Sequence, residues 1–301
     1  MLAGKIISGT EVAEVIHTDI KKEVADLKSR GITPGLAVIL VGEDSASKVY
    51  VAMKEKTANS LSITSKQLSF PEDTDSKELE GVIAGLNSDP EIHGILIQLP
   101  LPRHIDEKVV LSCIDPHKDV DGFHPMNVGN LSLGRTDAVA PCTPVGVIEL
   151  LIRNGIDPEG KHVVIVGRSN IVGRPLATLL TGRGRGGNAT VTIAHSRSED
   201  LPSITKRADI LISAVGRADL IDSTMVKPGA IVIDVGVNRV PDDLAPNGYR
   251  LVGDVAFEEV SELAGAITPV PGGVGPMTIA MLMKNTVQLA NRSLEYKGQD
   301  Y

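Results

Sequence analysis

Residues 163–175, VVIVGRSNIVGRP, decide the fold class of this chain. Val163–Val166 is a run of four β-branched residues, the composition of a strand buried on both faces. Gly167 interrupts the run, and IVGRPLATLL, from Ile171 onward, predicts a helix that begins near Pro175. A strand, a glycine turn and a helix start together present free backbone N–H groups and the positive end of a helix dipole, a combination suited to a phosphate. The spacing Gly167-x5-Gly173 is not the G-x-G-x-x-G dinucleotide pattern. On its own the stretch fits a phosphate turn and an ordinary strand–turn–helix connection equally well.

Downstream, further apolar runs at Ala189–Ala194, Asp209–Ala214 and Ala230–Val235 predict strands with helical or turn material between them, a compact nucleotide-binding half. Upstream the same alternation holds. A helix from Thr10 to about Arg30 is followed by a buried strand at Gly35–Val41, a helix over Ala46–Ser60 and a half-buried strand at Ile63–Phe70. Asp75-Ser76-Lys77-Glu78 resembles a capping box ahead of another helix, and His93–Leu99 is a strand stopped by Pro100 and Pro102. Ile114–Leu133 and Ile267–Met277 read as irregular, and Thr278–Asn291 as a last apolar helix that returns to the first domain because the second sheet is already complete. The fold class is α/β: two domains flanking a cleft, an N-terminal α/β domain (1–140 plus 276–301) and a Rossmann-type domain (141–275).

Composition narrows the function. At 301 residues the chain holds about two domains. Its formal charge of −8 argues against nucleic acid as a partner, and no apolar run is long enough for a membrane span. The N-terminal MLAGKIISGTEVAEV lacks the layout of a secretory signal, so a cytoplasmic location is expected. Cys113 and Cys142 form no C-x-x-C pair and read as reduced thiols, and no metal site is expected. Gly182–Gly187, GRGRGG, reads as a flexible surface loop.

Where a dinucleotide fold selects NAD, an acid ends its second strand. Here that strand continues into His195-Ser196-Arg197 with no acid before Glu199, and a hydroxyl beside a guanidinium suits a ribose phosphate. Arg168 adds a second cation, and NADP is the expected cofactor. In the first domain Tyr50 and Lys54 are four apart, one face of a helix with Cβ atoms about 6 Å from each other. Lys54 is a candidate acid/base group, but on spacing alone a surface lysine lying along its helix is the better account of the pair. Gln98 is a lone amide at an apolar strand end, where its polar atoms need partners. Asp121 can accept paired N–H donors from a heterocycle or cap a turn. His117 and His124 receive no role.

Several runs now carry a resemblance: YVAMK at Tyr50–Lys54, GILIQLPLP at Gly94–Pro102, DPHKDVDGFHPMNVGNL at Asp115–Leu131, PCTPVG at Pro141–Gly146, GRSNIVGRP at Gly167–Pro175, IDVGVNR at Ile233–Arg239 and TPVPGGVGPMT at Thr268–Thr278. Together they resemble the bifunctional methylenetetrahydrofolate dehydrogenase/methenyltetrahydrofolate cyclohydrolase family, often called FolD. The resemblance covers nearly the whole chain. It implies NADP-dependent oxidation of 5,10-methylenetetrahydrofolate followed by hydrolysis to 10-formyltetrahydrofolate, with tetrahydrofolate one-carbon derivatives as partners and a homodimer as the assembly. It also implies that Lys54, Tyr50, Gln98 and Asp121 are catalytic, and that Leu99 and the loop Pro271, Gly272, Gly273, Val274 and Gly275 join them around the folate. Gly167, Arg168, Ser169, Ser196, Arg197 and Val237 are implied to hold NADP. Ser45 stands where the family commonly has proline, Leu61-Ser62-Ile63 replaces a glycine-containing turn, and GRGRGG is a length variation before the second strand. An NADP-dependent dehydrogenase of another small substrate, or a dehydrogenase-only family member, is the alternative.

Overall fold

The computed structural model describes residues 4–245 and 248–297. They divide into two compact units: Val15–Cys142 with the residues from 279 onward, and residues 4–14 with Thr143–Thr278.

A two-residue strand β1 (Lys5–Ile6) leads into helix α1 (Gly9–Ser29), which carries the chain from one unit into the other. The three-stranded unit then alternates β2 (Gly35–Val41), α2 (Ser45–Ser60), β3 (Thr64–Phe70), α3 (Ser76–Ser88) and β4 (Gly94–Ile97), followed by α4 (Glu107–Ser112) and α5 (Pro125–Ser132). The sheet order is β3-β2-β4, with every pairing parallel. GLAVILV occupies the central strand β2 and is buried at all seven positions, as a strand covered on both faces requires. One side of it packs into a core with Leu79 and Ile83 of α3 and Ile95 and Ile97 of β4. Each such side chain contributes about 1.5–3 kcal/mol by leaving water. Asp75 caps α3, its carboxylate accepting from the Lys77 amide at 3.4 Å.

From α6 (Cys142–Arg153) the chain builds the six-stranded unit: β5 (His162–Val166), α7 (Gly173–Thr181), β6 (Thr190–Ala194), α8 (Leu201–Thr205), β7 (Ile210–Ser213), β8 (Ile231–Asp234), β9 (Asn238–Pro241), β10 (Tyr249–Val252), α9 (Phe257–Ser261) and β11 (Ala266–Ile267). The sheet order is β1-β11-β8-β7-β5-β6, parallel throughout. β6 follows β5 on one side and β7 lies on the other, so the strand order reverses between β5 and β7, the place where doubly wound sheets open a crevice. The final helix α10 (Val274–Lys297) starts in this unit and packs with the three-stranded one from Ile279 on.

Four expectations need correction. Residues 4–14 belong with the six-stranded unit, because Lys5 and Ile6 pair with Ala266 and Ile267. The stretch Ile114–Leu133 contains α5, which has Pro125 in its first turn and His124 as its cap, the His124 Nδ1 accepting from the Met126 amide at 3.1 Å. α10 begins at Val274 rather than Thr278, since Gly275 and Pro276 fall in its first turn, where proline is tolerated. The antiparallel ribbon β9–β10 is absent from the sequence reading. In GRGRGG, exposed at Arg183–Arg185, Arg185 Nη1 donates to Glu149 Oε1 of α6 at 3.2 Å.

Candidate functional site

Lys54 lies on the buried stripe of α2. Ser47, Val51 and Ala58 are the buried residues of that helix, and position 54 falls on the same face at helical spacing. The aliphatic stem therefore enters the unit rather than lying along its surface. Its Nζ donates to Gln98 Oε1 at 2.9 Å. Burial pulls the Lys54 ammonium below the ordinary lysine range, while the charge of Asp121 acts in the opposite direction. Tyr50 sits half-buried one turn earlier on α2 and makes no hydrogen bond to Lys54 among the described residues.

Gln98 is the first residue beyond β4, at the carboxyl edge of the sheet. Its backbone N–H donates to the Ile39 carbonyl at 2.8 Å, and its side-chain Nε2 donates to the Leu99 carbonyl at 2.8 Å. With the nitrogen end occupied by Leu99, the oxygen end is held towards Lys54.

Asp121 follows the isolated pairing of Asp119 with Ile95. Burial pushes its carboxyl up, the Lys54 charge pulls it down, and Asp119 pushes it up again. Asp119 is buried and accepts from the His124 amide at 2.8 Å and from Asn127 Nδ2 at 2.9 Å, which fixes the turn that follows Asp121. The Cys142 thiol lies beside Asp121 and donates to the Val120 carbonyl at 3.4 Å. Burial and the Asp121 charge hold that thiol well above its usual range, so it is a neutral, unreactive neighbour. From α10, Asn285 Nδ2 donates to the carbonyls of Val120 at 2.8 Å and Ala140 at 3.1 Å. A cation and a carboxyl, both poorly solvated, are thus set in a rigid frame of amides. Each raises the other's tendency to be charged, and burial opposes both.

In the six-stranded unit the remaining candidates gather at the carboxyl ends of the parallel strands. Gly167, Arg168 and Ser169 follow β5, Ser196 and Arg197 follow β6, and Val237 follows β8. Gly167 has φ +131°, and a Cβ there would run into the Ala214 carbonyl, so the turn admits no side chain. The Ser169 hydroxyl accepts from the Val172 amide at 3.1 Å at the start of α7. Val172, at the helix N-terminus, provides no side-chain cap. Ser196 and Arg197 are both exposed, in a turn where the Arg197 amide donates to His195 Nδ1 at 3.1 Å. Pro271–Gly275 also lies in this unit, with the Gly272 carbonyl accepting from the amides of Gly9 at 2.9 Å and Thr10 at 3.1 Å.

Cys142, Asn285 and Asp119 were missed in the sequence. Asn285 carried a fainter signal: it is an amide in the mostly apolar helix stretch IAMLMKNTVQL, where Lys284, Thr286 and Gln288 obscure it. Asp119 is masked by the acids around it. Cys142 stands out only once its neighbours are known.

Residues 7–121 match the catalytic domain of the tetrahydrofolate dehydrogenase/cyclohydrolase family, and residues 141–294 match its NAD(P)-binding domain. The chain is 53% identical over 290 residues to the bifunctional protein FolD of Prosthecochloris aestuarii, covering 96% of this chain and 98% of that protein. It is similar to the crystal structure of the bifunctional FolD enzyme of Campylobacter jejuni, with TM-score 0.91, 48% identity and coverage of 97% and 100% of the two chains. It is also similar to the FolD of Trypanosoma brucei complexed with NADP cofactor and inhibitor, with TM-score 0.93, 42% identity and coverage of 98% and 99%.

Proposed function

The chain belongs to the tetrahydrofolate dehydrogenase/cyclohydrolase family, and from that membership we propose how its own residues divide the work of the two activities. It is a bifunctional enzyme that oxidises methylenetetrahydrofolate with NADP and hydrolyses the resulting methenyl derivative to formyltetrahydrofolate.

The carboxyl edge of the six-stranded sheet fits NADP. Gly167 lets the turn after β5 pass against the Ala214 carbonyl with no side chain in the way, that turn leads into the N-terminus of α7, and Arg197 offers its guanidinium beyond β6. Gly167, Arg168 and Ser169 would hold the pyrophosphate, Ser196 and Arg197 the ribose phosphate, and Val237 the nicotinamide side. When bound, NADP supplies the acceptor for the hydride that leaves the one-carbon bridge of the folate.

In the three-stranded unit, Asp121 receives the pterin's amino and ring N–H groups and so fixes the carbon that reacts. Tyr50 and Leu99 complete the folate surface of this unit. For hydrolysis, water adds to the methenyl carbon and its proton passes to neutral Lys54. Lys54 returns a proton to the ring nitrogen as the carbon–nitrogen bond opens, and the adduct's hydroxyl releases its proton to solvent to give the formyl product. Gln98 holds the ammonium by its side-chain oxygen and lets the neutral amine keep the same position.

The observation that carries this reading is a buried lysine, shifted downward by desolvation, with one oriented amide partner. The experiment is Lys54→Met assayed for both activities. Loss of methenyl hydrolysis with an unchanged circular dichroism spectrum is expected, and retained hydrolysis removes Lys54 from the role.

Family membership also supports a homodimer, checked by light scattering, and a cytoplasmic location, checked by fractionation. Among the described residues no helix is long and apolar enough to cross a membrane.

A further inference from the structure

Two buried carboxylates stand behind the crevice in the six-stranded unit, and none of the residues assigned above accounts for them. Asp254 is fully buried and collects five donors. Its Oδ2 accepts from the Ser213 hydroxyl at 3.2 Å, the Val215 amide at 2.7 Å and the Gly216 amide at 3.3 Å, and its Oδ1 accepts from the Arg217 amide at 2.9 Å and Asn238 Nδ2 at 3.0 Å. Asp234, at the end of β8, accepts from the amides of Gly236 at 2.9 Å, Asp254 at 3.0 Å and Val255 at 2.9 Å. Burial pushes the Asp234 carboxyl up to about 7, and the neighbouring Asp254 adds to the shift.

Side chains with this many backbone donors are scaffolds for loop geometry. The loop they hold is the one after β7. Three consecutive amides, at positions 215, 216 and 217, turn inward to one carboxylate, which fixes the path of the loop. That loop begins at Ala214, whose carbonyl occupies the space beside Gly167. β5 and β7 are the two strands between which the sheet order reverses, so the loop after β7 forms the wall opposite the phosphate turn. Asn238 extends the same clamp to the segment after β8, next to Val237. Gly236 fits the arrangement, because a Cβ there would strike the Asp254 carboxylate.

We propose that Asp254, seated on Asp234, is a positioning residue that shapes the wall of the crevice serving the pyrophosphate–nicotinamide half of NADP, without touching the adenosine half. This rests on the placement of NADP given above. The two halves are separable because the ribose-phosphate residues follow β6, on the far side of β5 from β7. An asparagine cannot replace Asp254, since whichever way its amide turns, an NH2 group faces N–H donors.

The test compares two probes on the full chain, NADP and adenosine 2′,5′-bisphosphate, by titration calorimetry. In Asp254→Asn the dissociation constant for NADP is expected to rise at least about tenfold, while that for the bisphosphate stays within about twofold. Equal weakening of both probes, or no change in either, overturns the proposal. If Asp254→Asn does not fold, Asn238→Ala, which removes one donor, takes its place, with about threefold weakening of NADP alone expected and the same overturning outcomes. Arg197→Ala separates the proposal from its premise. That change should weaken both probes, and if it weakens neither, the placement of NADP falls, not the role of Asp254 within the crevice.

Discussion

Lys54 Nζ and Gln98 Oε1 are 2.9 Å apart, a single hydrogen bond that joins the buried face of α2 to the carboxyl end of β4. The bond is one-directional. Gln98 Nε2 is committed to the Leu99 carbonyl, so the amide cannot turn over without losing that partner. Gln98→Leu should therefore leave the lysine present but unanchored, and hydrolysis of the methenyl substrate is expected to fall by about ten- to a hundredfold. Stopped-flow loss of the methenyl absorbance checks this, with thermal unfolding as the fold control.

Asp121 acts on the pKa of Lys54. The hydrolysis proposed above uses the neutral amine, so the rate should rise as pH passes upward through the lysine's pKa. Burial already holds that pKa below the usual lysine value, and the Asp121 charge raises it part of the way back. Asp121→Asn removes the raising influence, and the ascending limb of the hydrolysis profile should move to lower pH. A limb that moves to higher pH contradicts the electrostatics described for this pair. Folate affinity should fall in the same variant through loss of the carboxylate acceptor.

Arg197 is the exposed cation beyond β6. Replacing it with alanine would remove the charge-assisted contact proposed for the ribose phosphate, worth about 1.5–3 kcal/mol. The ratio of kcat/KM for NADP over NAD should drop by about ten- to a hundredfold, almost wholly through KM for NADP. An unchanged ratio assigns cofactor choice to other residues.

Asn285 supports the site without belonging to the reaction. Asn285→Leu leaves the carbonyls of Val120 and Ala140 short of a donor in a buried setting, at a cost of about 1–3 kcal/mol. Urea unfolding should register that loss, and both activities should decline together as the turn carrying Asp121 loosens. A selective loss of one activity would place Asn285 nearer the chemistry than the structure does.

Legibility in the sequence followed the physics of each segment. GLAVILV and VVIV are readable as central strands because a strand buried on both faces must be apolar throughout, and no other role makes that demand over so few residues. Spacing with Tyr50 alone favours reading Lys54 as a surface lysine. What settles it is the burial of Ser47, Val51 and Ala58, and those are small or ordinary residues that do not announce a buried face. The hairpin β9–β10 was invisible because its strands carry Asn, Arg and Tyr in a two-stranded ribbon with little burial. Asp254 was hidden for the opposite reason: its five donors come mostly from backbone amides, and these leave no mark on the sequence.

Neither unit is a continuous stretch of chain. β1 joins a sheet whose pairing partner β11 lies some 260 positions later, and the Val120 carbonyl waits for an amide at position 285. In terms of synthesis, the frame around Asp121 cannot close until the C-terminal helix has emerged from the ribosome. Position 285 comes after every strand of the six-stranded sheet has been made. The turn that carries Asp121 is therefore finished only after the six-stranded sheet, although its own residues are made well before that sheet's β5.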